Sequence, residues 1–455
     1  MCRKIINFLI LGLIGTFAVV MFVFQTMEAK LPQFEIQVCT DESDNETLSL
    51  WENEEGDYLV FLPTFSNINQ LKIRLNTDSP IYIDGVLLQD GMNCGMFKTE
   101  QTYKVVFQQF GRTYTKNLIF MQSAEVATMF IDTETGNMDF VHEQKGNKES
   151  GSIRIYTEEG TISYTGDLEF IKGRGNYTWT EYEKKPYTIK LSEDADLLGM
   201  GKAQKWILLA NAGDQSNLRN KIVYDFADKL GLSFSPESEW VDLYLNGEYV
   251  GLYQLTEKNE VHPQRVNIAQ EGSFLVSMEL ESRLKTQEYV YVSTEEKLAF
   301  RVHYPESPSK ENLLQIETQL QSVETAILAD DGIDSTTGKH WTELIDLDSW
   351  VKKYLIEEIF GNGDGGAISQ FFYFDANDSN CKLYAGPVWD YDSTMGNPTG
   401  WHLTTVQTFY ANRLRVDDNY NTPWFYSLYH KEKFYEQIVL IMMKIFGNIM
   451  LCKYN

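Results

Sequence analysis

Two aspartates stand two residues apart at Asp390 and Asp392, behind the apolar run Pro387-Val-Trp. In an extended segment both would point to the same face. Paired hard oxygens of this kind suit Mg²⁺, which keeps several waters and takes one or two carboxylates; a structural Ca²⁺ is the competing occupant. Asp364 sits in the Gly-rich stretch Asn362-Gly-Asp-Gly365 just past a helical pattern. A loop carboxylate there can orient a hydroxyl and take its proton, or it is simple turn chemistry. Gly173-Arg-Gly-Asn176 joins two strand-like runs. Its glycines permit close backbone approach to an anion, and Arg174 could fork onto phosphate oxygens; a tight turn is the plain alternative. In Tyr187-Thr-Ile-Lys-Leu, alternation places Lys190 opposite Tyr187, Ile189 and Leu191. Lys185 competes with it for any role in charge neutralisation. Arg219, one turn into a helix, could clasp a carboxylate or phosphate or lie on a solvated face. Glu257 ends a strand. The six histidines form no Ser/His/Asp or Cys/His arrangement, which disfavours nucleophilic hydrolysis.

Positioning these groups requires a framework. From about Leu31 to Met121 short strand-like runs alternate with turns: Tyr58–Leu62, Leu71–Leu75, Ile81–Ile83 and Tyr103–Phe107, separated by Asn76–Pro80, Asp84-Gly85 and Asp90-Gly91. This predicts a small β-sandwich, a spacer or binding module without chemistry of its own. Past Ala124 the pattern is mixed. Strand-like runs precede a helix marked by Leu218, Ile222, Phe226 and Leu230 and stopped at Gly231. A hairpin turns at Asn246-Gly247. A second helix follows Ser309 with the stripe Leu313, Ile316, Leu320, Val323 and Ile327, and a third spans about Asp348 to Phe360. Strands, then a helix, a hairpin and mostly helix predict an α+β fold.

The chain has 455 residues, 43% hydrophobic and 13% aromatic, enough for more than one packed core. Its net charge of -26 argues against a general nucleic-acid binder. Arg3 and Lys4 precede an apolar run from Ile5 to Phe24. At about 1.5 Å per residue that run matches the roughly 30 Å of a bilayer core, and its positive flank orients the bulk of the chain outward. The expectation is a single-pass protein of the cell membrane, extracytoplasmic beyond the helix, with a cleaved signal peptide as the alternative. Cys39, Cys94, Cys381 and Cys452 then lie outside, where a Cys39–Cys94 disulfide is permitted. No CxxC or Cys/His spacing points to zinc.

Six segments taken together resemble the CotH family, the spore-coat atypical kinases: 171–179, 184–191, 206–220, 244–257, 362–365 and 386–392. Each is weak alone; their order over about residues 125–400 is specific. The resemblance implies a two-lobed kinase-like domain at 124–455, preceded by an anchor at 1–29 and a β-rich, Ig-like domain at 30–123. It implies ATP and Mg²⁺, with Mn²⁺ or Ca²⁺ as alternatives, and transfer of the γ-phosphoryl group to Ser or Thr of a protein at the cell or spore surface. In that reading Gly173, Arg174, Gly175, Asn176, Lys185, Lys190, Arg219 and Glu257 bind the nucleotide. Lys190 and Asp364 are catalytic, and Asp390, Asp392 and Ser369 hold metal. Ser369 departs from the metal-binding Asn that a protein-kinase loop carries five residues after its Asp. The apolar end from Ile438 to Met450 reads as a shortened C-terminus. The rival reading is a non-catalytic coat-assembly or adhesin-type binding module on the same fold.

Overall fold

The structure is a computed structural model that describes residues 34–39, 45–109, 111–397, 411 and 423–452. The chain forms two compact units, each assembled from separated segments: residues 1–138, 151–166 and 241–252 in the first, and 139–150, 167–240 and 253–455 in the second.

In the N-terminal part a three-stranded sheet and a six-stranded sheet share one core. Alternation drives this: Tyr58, Val60 and Leu62 turn inward, as do Ile81 and Ile83. Cys94 also lies in this core as a free thiol, pushed up to about 12 by burial, so the permitted Cys39–Cys94 disulfide is not formed.

Seven strands then close a barrel. They are β1 (Ala127–Thr133), β2 (Lys148–Tyr156), β3 (Ile162–Gly173), β4 (Tyr187–Asp196), β5 (Lys202–Leu209), β6 (Ser238–Leu245) and β7 (Glu248–Glu257), in the order β1-β2-β3-β4-β5-β7-β6. Parallel pairing of Ala127–Ile131 with Val241–Leu245 closes it. The β6–β7 hairpin turns at Asn246 and Gly247 with φ of 51° and 81°, the left-handed pair a two-residue turn demands. Gly151 is obligatory: a Cβ there would meet the Asp132 carbonyl oxygen at 2.0 Å.

A five-stranded sheet follows: β8 (Phe274–Glu279), β9 (Tyr291–Ser293), β10 (Ala299–Tyr304), β11 (Gln370–Phe374) and β12 (Leu383–Ala385), ordered β9-β10-β8-β11-β12. Besides three short helices at Asp139–Glu143, Tyr177–Glu181 and Trp341–Leu344, the helices named below are α1 (Arg219–Lys229), α2 (Glu281–Thr286), α3 (Lys310–Leu328), α4 (Leu347–Ile359), α5 (Pro423–Tyr429) and α6 (Glu432–Cys452). Helix α3 starts at a capping box between Ser309 and Asn312 and buries Ile316, Leu320, Val323 and Ile327. Helix α4 starts at Asp346, whose side chain accepts from the Ser349 amide, and packs Trp350, Val351, Tyr354 and Leu355 into the same core.

Two expectations are corrected. Over the described residues the molecule is not an α+β, two-lobed kinase-like fold; it is mostly β, with a closed seven-stranded barrel. A period of two reveals a strand but not its partner, and this barrel closes between strands far apart in sequence. The single-pass membrane protein is corrected as well. Among the described residues no helix is long and apolar enough to cross a membrane, and the Ile5–Phe24 run behind that expectation lies outside the described residues.

Candidate functional site

Asp390 and Asp392 do not sit on a strand. Strand β12 ends at Ala385, and the segment beyond is irregular. Asp390 has a φ of 69°, a left-handed conformation that costs a non-glycine residue energy and must be held by its surroundings. The clamps are visible. Between the two aspartates Tyr391 is buried; its amide donates to Asn220 Oδ1 at 2.7 Å and its hydroxyl to Glu357 Oε1 at 2.5 Å. Asn397 Nδ2 donates to the Asp392 carbonyl at 2.7 Å. With Tyr391 turned inward, Asp390 is exposed and Asp392 half-buried. Ser369, itself at a φ of 54°, donates from Oγ to Asp390 Oδ2 at 3.1 Å.

Asp364 follows α4. Its amide donates to Asn362 Oδ1 at 3.1 Å, and its carbonyl accepts from the Ala367 and Ile368 amides. Asn362 is buried and donates from Nδ2 to Glu357 Oε2 at 2.5 Å. Glu357 and its salt-bridge partner Lys353 are both fully enclosed within α4, and Lys353 Nζ also donates to the Tyr391 hydroxyl at 2.6 Å. One buried ion pair therefore supports both aspartate loops.

Burial pushes the Asp392 carboxyl up to about 7, and Asp390, Asp364 and Asp214 push it the same way. Their repulsion shows that these carboxylates share one neighbourhood. Burial also carries Glu279, at the end of β8, up to about 7; Arg283 draws it down, Asp390 pushes it up, and Arg301 draws it down. Arg283 Nη1 meets Glu279 Oε2 at 3.3 Å.

A cationic set faces this acidic one. Arg174 feels the pull of Asp390 and Asp392 against its own burial, and its guanidinium lies 5.3 Å from the centroid of the Trp389 ring. Trp389 in turn stacks on Tyr224. Lys145 loses basicity through burial and through its neighbours Arg174, Arg283 and Arg301. Its ammonium donates to the Gly175 carbonyl at 2.8 Å and to Asn176 Oδ1 at 3.1 Å, bracing the Gly173–Asn176 turn. In that turn a Cβ on Gly173 would meet the Trp179 ring at 2.4 Å, and Gly175 has a φ of 76°.

The structure brings Arg174, Asp364, Asp390, Asp392 and Ser369 together. The other predicted side chains have partners of their own, Arg219 at the edge of the site and Lys185, Lys190 and Glu257 away from it. Arg219 is paired with Asp214, and its Nε donates to the Thr394 carbonyl at 2.9 Å, bracing the loop after Asp392. Lys185 Nζ is taken by the Trp179 carbonyl at 2.7 Å and the Tyr182 carbonyl at 2.5 Å. Lys190 pairs with Glu169 at 2.5 Å, next to Lys205 across the strand pair. Glu257 pairs with Arg265 at 2.5 Å and is pushed up to about 7 by burial. Lys145, Glu279, Arg283 and Arg301 were not foreseen. Each is a lone charge in an unremarkable local pattern, and only the tertiary fold gathers them from a turn, two strands and a helix.

Residues 171–451 match the family described as CotH kinase protein. The chain belongs to the CotH family. The match takes in Arg174, the hairpin of β6 and β7, Asp364, Asp390 and Asp392, the residues through which the sequence resembles CotH proteins. No curated protein matches the chain.

The acidic set fits a divalent cation by its chemistry, because mutually repelling, partly buried carboxylates gain most from one. Among the described residues no three His, Cys, Asp or Glu side chains form a ready-made metal cage. Mg²⁺ does not need one, since it takes one or two carboxylates and completes its shell with water and phosphate oxygens.

Proposed function

We propose that this CotH-family chain is a phosphotransferase that moves the γ-phosphoryl group of ATP to a Ser or Thr hydroxyl of a coat-type protein. The observation that carries the reading is the juxtaposition of Asp364, Asp390 and Asp392 with Arg174 and its cationic neighbours Lys145, Arg283 and Arg301. Phosphoryl transfer needs positioning and charge stabilisation more than covalent chemistry. Asp390 and Asp392 would hold Mg²⁺, with Mn²⁺ or Ca²⁺ as substitutes; bound there, the ion would neutralise phosphate oxygens. Arg174 binds the phosphates from the glycine turn, Lys145 from beside that turn, Arg283 from α2 and Arg301 from β10. Asp364 orients the acceptor hydroxyl and takes its proton as the new oxygen–phosphorus bond forms. The bond from the γ-phosphorus to the bridging oxygen breaks, and ADP leaves. Ser369 orients Asp390 through its hydroxyl.

The test separates the two aspartate roles. Asp390→Ala should abolish Mg²⁺-dependent ATP binding in calorimetry. Asp364→Asn should bind nearly as the parent does, yet transfer labelled phosphate roughly 10²–10⁴-fold more slowly, the range for loss of a general base. A parent protein that binds no Mg-ATP sinks the reading and leaves a non-catalytic coat-assembly module as the better account.

A further inference from the structure

Helix α2 is followed at once by Gln287, whose side chain reaches the glycine turn. Its Nε2 donates to Asn176 Oδ1 at 2.5 Å. The same oxygen accepts from Lys145 Nζ at 3.1 Å. An amide oxygen has two lone pairs, so Asn176 Oδ1 is saturated. Because Lys145 can only donate, it keeps the Asn176 oxygen on this side, and the Gln287 amide must then present its nitrogen. Three segments far apart in sequence meet at this one atom: the turn at Lys145, the turn 173–176 and the end of α2.

Both ends of the contact are tied to the candidate site. On one side the Asn176 carbonyl accepts from the Trp179 and Thr180 amides, each at 3.2 Å, and Lys145 Nζ also donates to the Gly175 carbonyl at 2.8 Å. Arg174 lies two residues back in the same turn. On the other side the Gln287 amide donates to the Arg283 carbonyl at 3.1 Å. Leu284, next to Arg283, is buried and anchors α2. The contact therefore runs from the turn that carries Arg174 to the helix that carries Arg283. These cations repel one another: burial, and then the charges of Arg174, Arg283 and Arg301, lower the basicity of Lys145. A neutral amide holds the two sides together without adding charge. Lysine at 287 would add to the repulsion, and glutamate would compete with phosphate for the cations.

We propose that Gln287 is a positioning residue for the phosphate site: it latches the glycine turn and Lys145 to the end of α2, so that Arg174 and Lys145 on one side and Arg283 on the other grip one polyphosphate. The ligand in this proposal rests on the phosphotransferase reading; the latch rests on the hydrogen bonds alone. Those bonds reach neither Asp364 nor the aspartate pair at 390 and 392, so Gln287 acts on binding of the nucleotide and not on the transfer step.

Gln287→Met keeps the length of the side chain and removes the donor. Gln287→Asn keeps the amide but falls one methylene short, and it decides the matter if the methionine variant does not fold. Two measurements on the full chain separate latch from ligand. Hydrogen exchange read by mass spectrometry follows the Arg174, Trp179 and Thr180 amides, which donate to the Pro186 and Asn176 carbonyls. Either variant should lose protection there by roughly 2–10-fold, the range for one hydrogen bond, and keep it in the β6–β7 hairpin. Calorimetry should show Mg-ATP affinity falling by about the same factor, and in transfer assays KM for ATP should rise while kcat stays within about twofold. Combined with Asn176→Ala, the Gln287 change should weaken binding no further than Asn176→Ala does alone, because it acts through that residue. Unchanged protection of the turn, a fall in kcat without a rise in KM, or additive losses in the double variant overturns the proposal. A parent that binds no Mg-ATP overturns the phosphotransferase reading and the ligand named here, while the exchange result still decides the latch.

Discussion

Glu357→Gln tests whether one buried ion pair organises the candidate site. Glu357 and Lys353 are fully enclosed, and the carboxylate is saturated. Oε1 accepts from Lys353 Nζ and from the Tyr391 hydroxyl at 2.5 Å, and Oε2 accepts from Asn362 Nδ2 at 2.5 Å. The amide removes the counter-charge of Lys353. It also offers at most one acceptor oxygen where two worked, so either Asn362 or Tyr391 faces a donor. Breaking a buried pair from one side costs about 3–5 kcal/mol. Burial already lowers the basicity of Lys353, so the orphaned lysine can shed its proton, and the lower end of about 3 kcal/mol is expected. Urea denaturation followed by tryptophan fluorescence reads the second unit, where Trp206, Trp341, Trp350 and Trp424 are buried. The functional consequence follows from the two arms. Asn362 holds the Asp364 amide, and Tyr391 is the residue between Asp390 and Asp392. Mg-ATP affinity should therefore fall along with stability. Adding Lys353→Met to Glu357→Gln removes the orphan charge and should restore part of the stability, with a coupling of about 2 kcal/mol, while the affinity stays low. A Glu357→Gln protein within about 1 kcal/mol of its parent, or a double variant with parental Mg-ATP affinity, would refute the reasoning.

Asp392→Asn should make stability less dependent on pH. The folded Asp392 carboxyl stands near 7, above its ordinary value of 3.8. Its favourable contribution is therefore complete below about 4 and is lost as pH rises through about 7. The asparagine variant should gain roughly 1–3 kcal/mol over the parent between about pH 5 and pH 8 in metal-free buffer; a gain of equal size at both values contradicts the shift. Arg174→Ala should weaken Mg-ATP binding in calorimetry by roughly 10-fold or more, since it removes a charge-assisted contact. Lys190→Met serves as the contrast: with its ammonium on Glu169, it should change that affinity by less than about threefold. A loss as large as that of Arg174→Ala would return Lys190 to the phosphate site.

Local signals in the chain were enough for three of its helices, α1, α3 and α4, and for several of its candidate site residues. The spacing of Ile316, Leu320, Val323 and Ile327 repeats with the helical turn, and Ser309 supplies the cap, so α3 follows from neighbours in sequence. The Asn246-Gly247 turn is legible for the same reason: only two adjacent residues need the left-handed region. Arg174, Asp364, Asp390 and Asp392 stand in short motifs whose order alone marks the CotH family. What the tertiary structure decided depends on pairing between distant segments. Closure of the barrel joins β1 to β6 in parallel, and no local periodicity encodes a partner. Asp390 and Asp392 share an open side because Tyr391 is anchored to Asn220 and Glu357, not because a strand alternates there. Lys145, Glu279, Arg283 and Arg301 look like solvated charges in the chain and come to neighbour the candidate site only through the tertiary fold. The same holds for Lys353 and Glu357. Their i, i+4 spacing is that of a common surface pair, and only packing on every side turns it into the buried support of two loops. Charge interactions act through space, in a dielectric that the whole fold sets, so their strength cannot be read from positions along the chain.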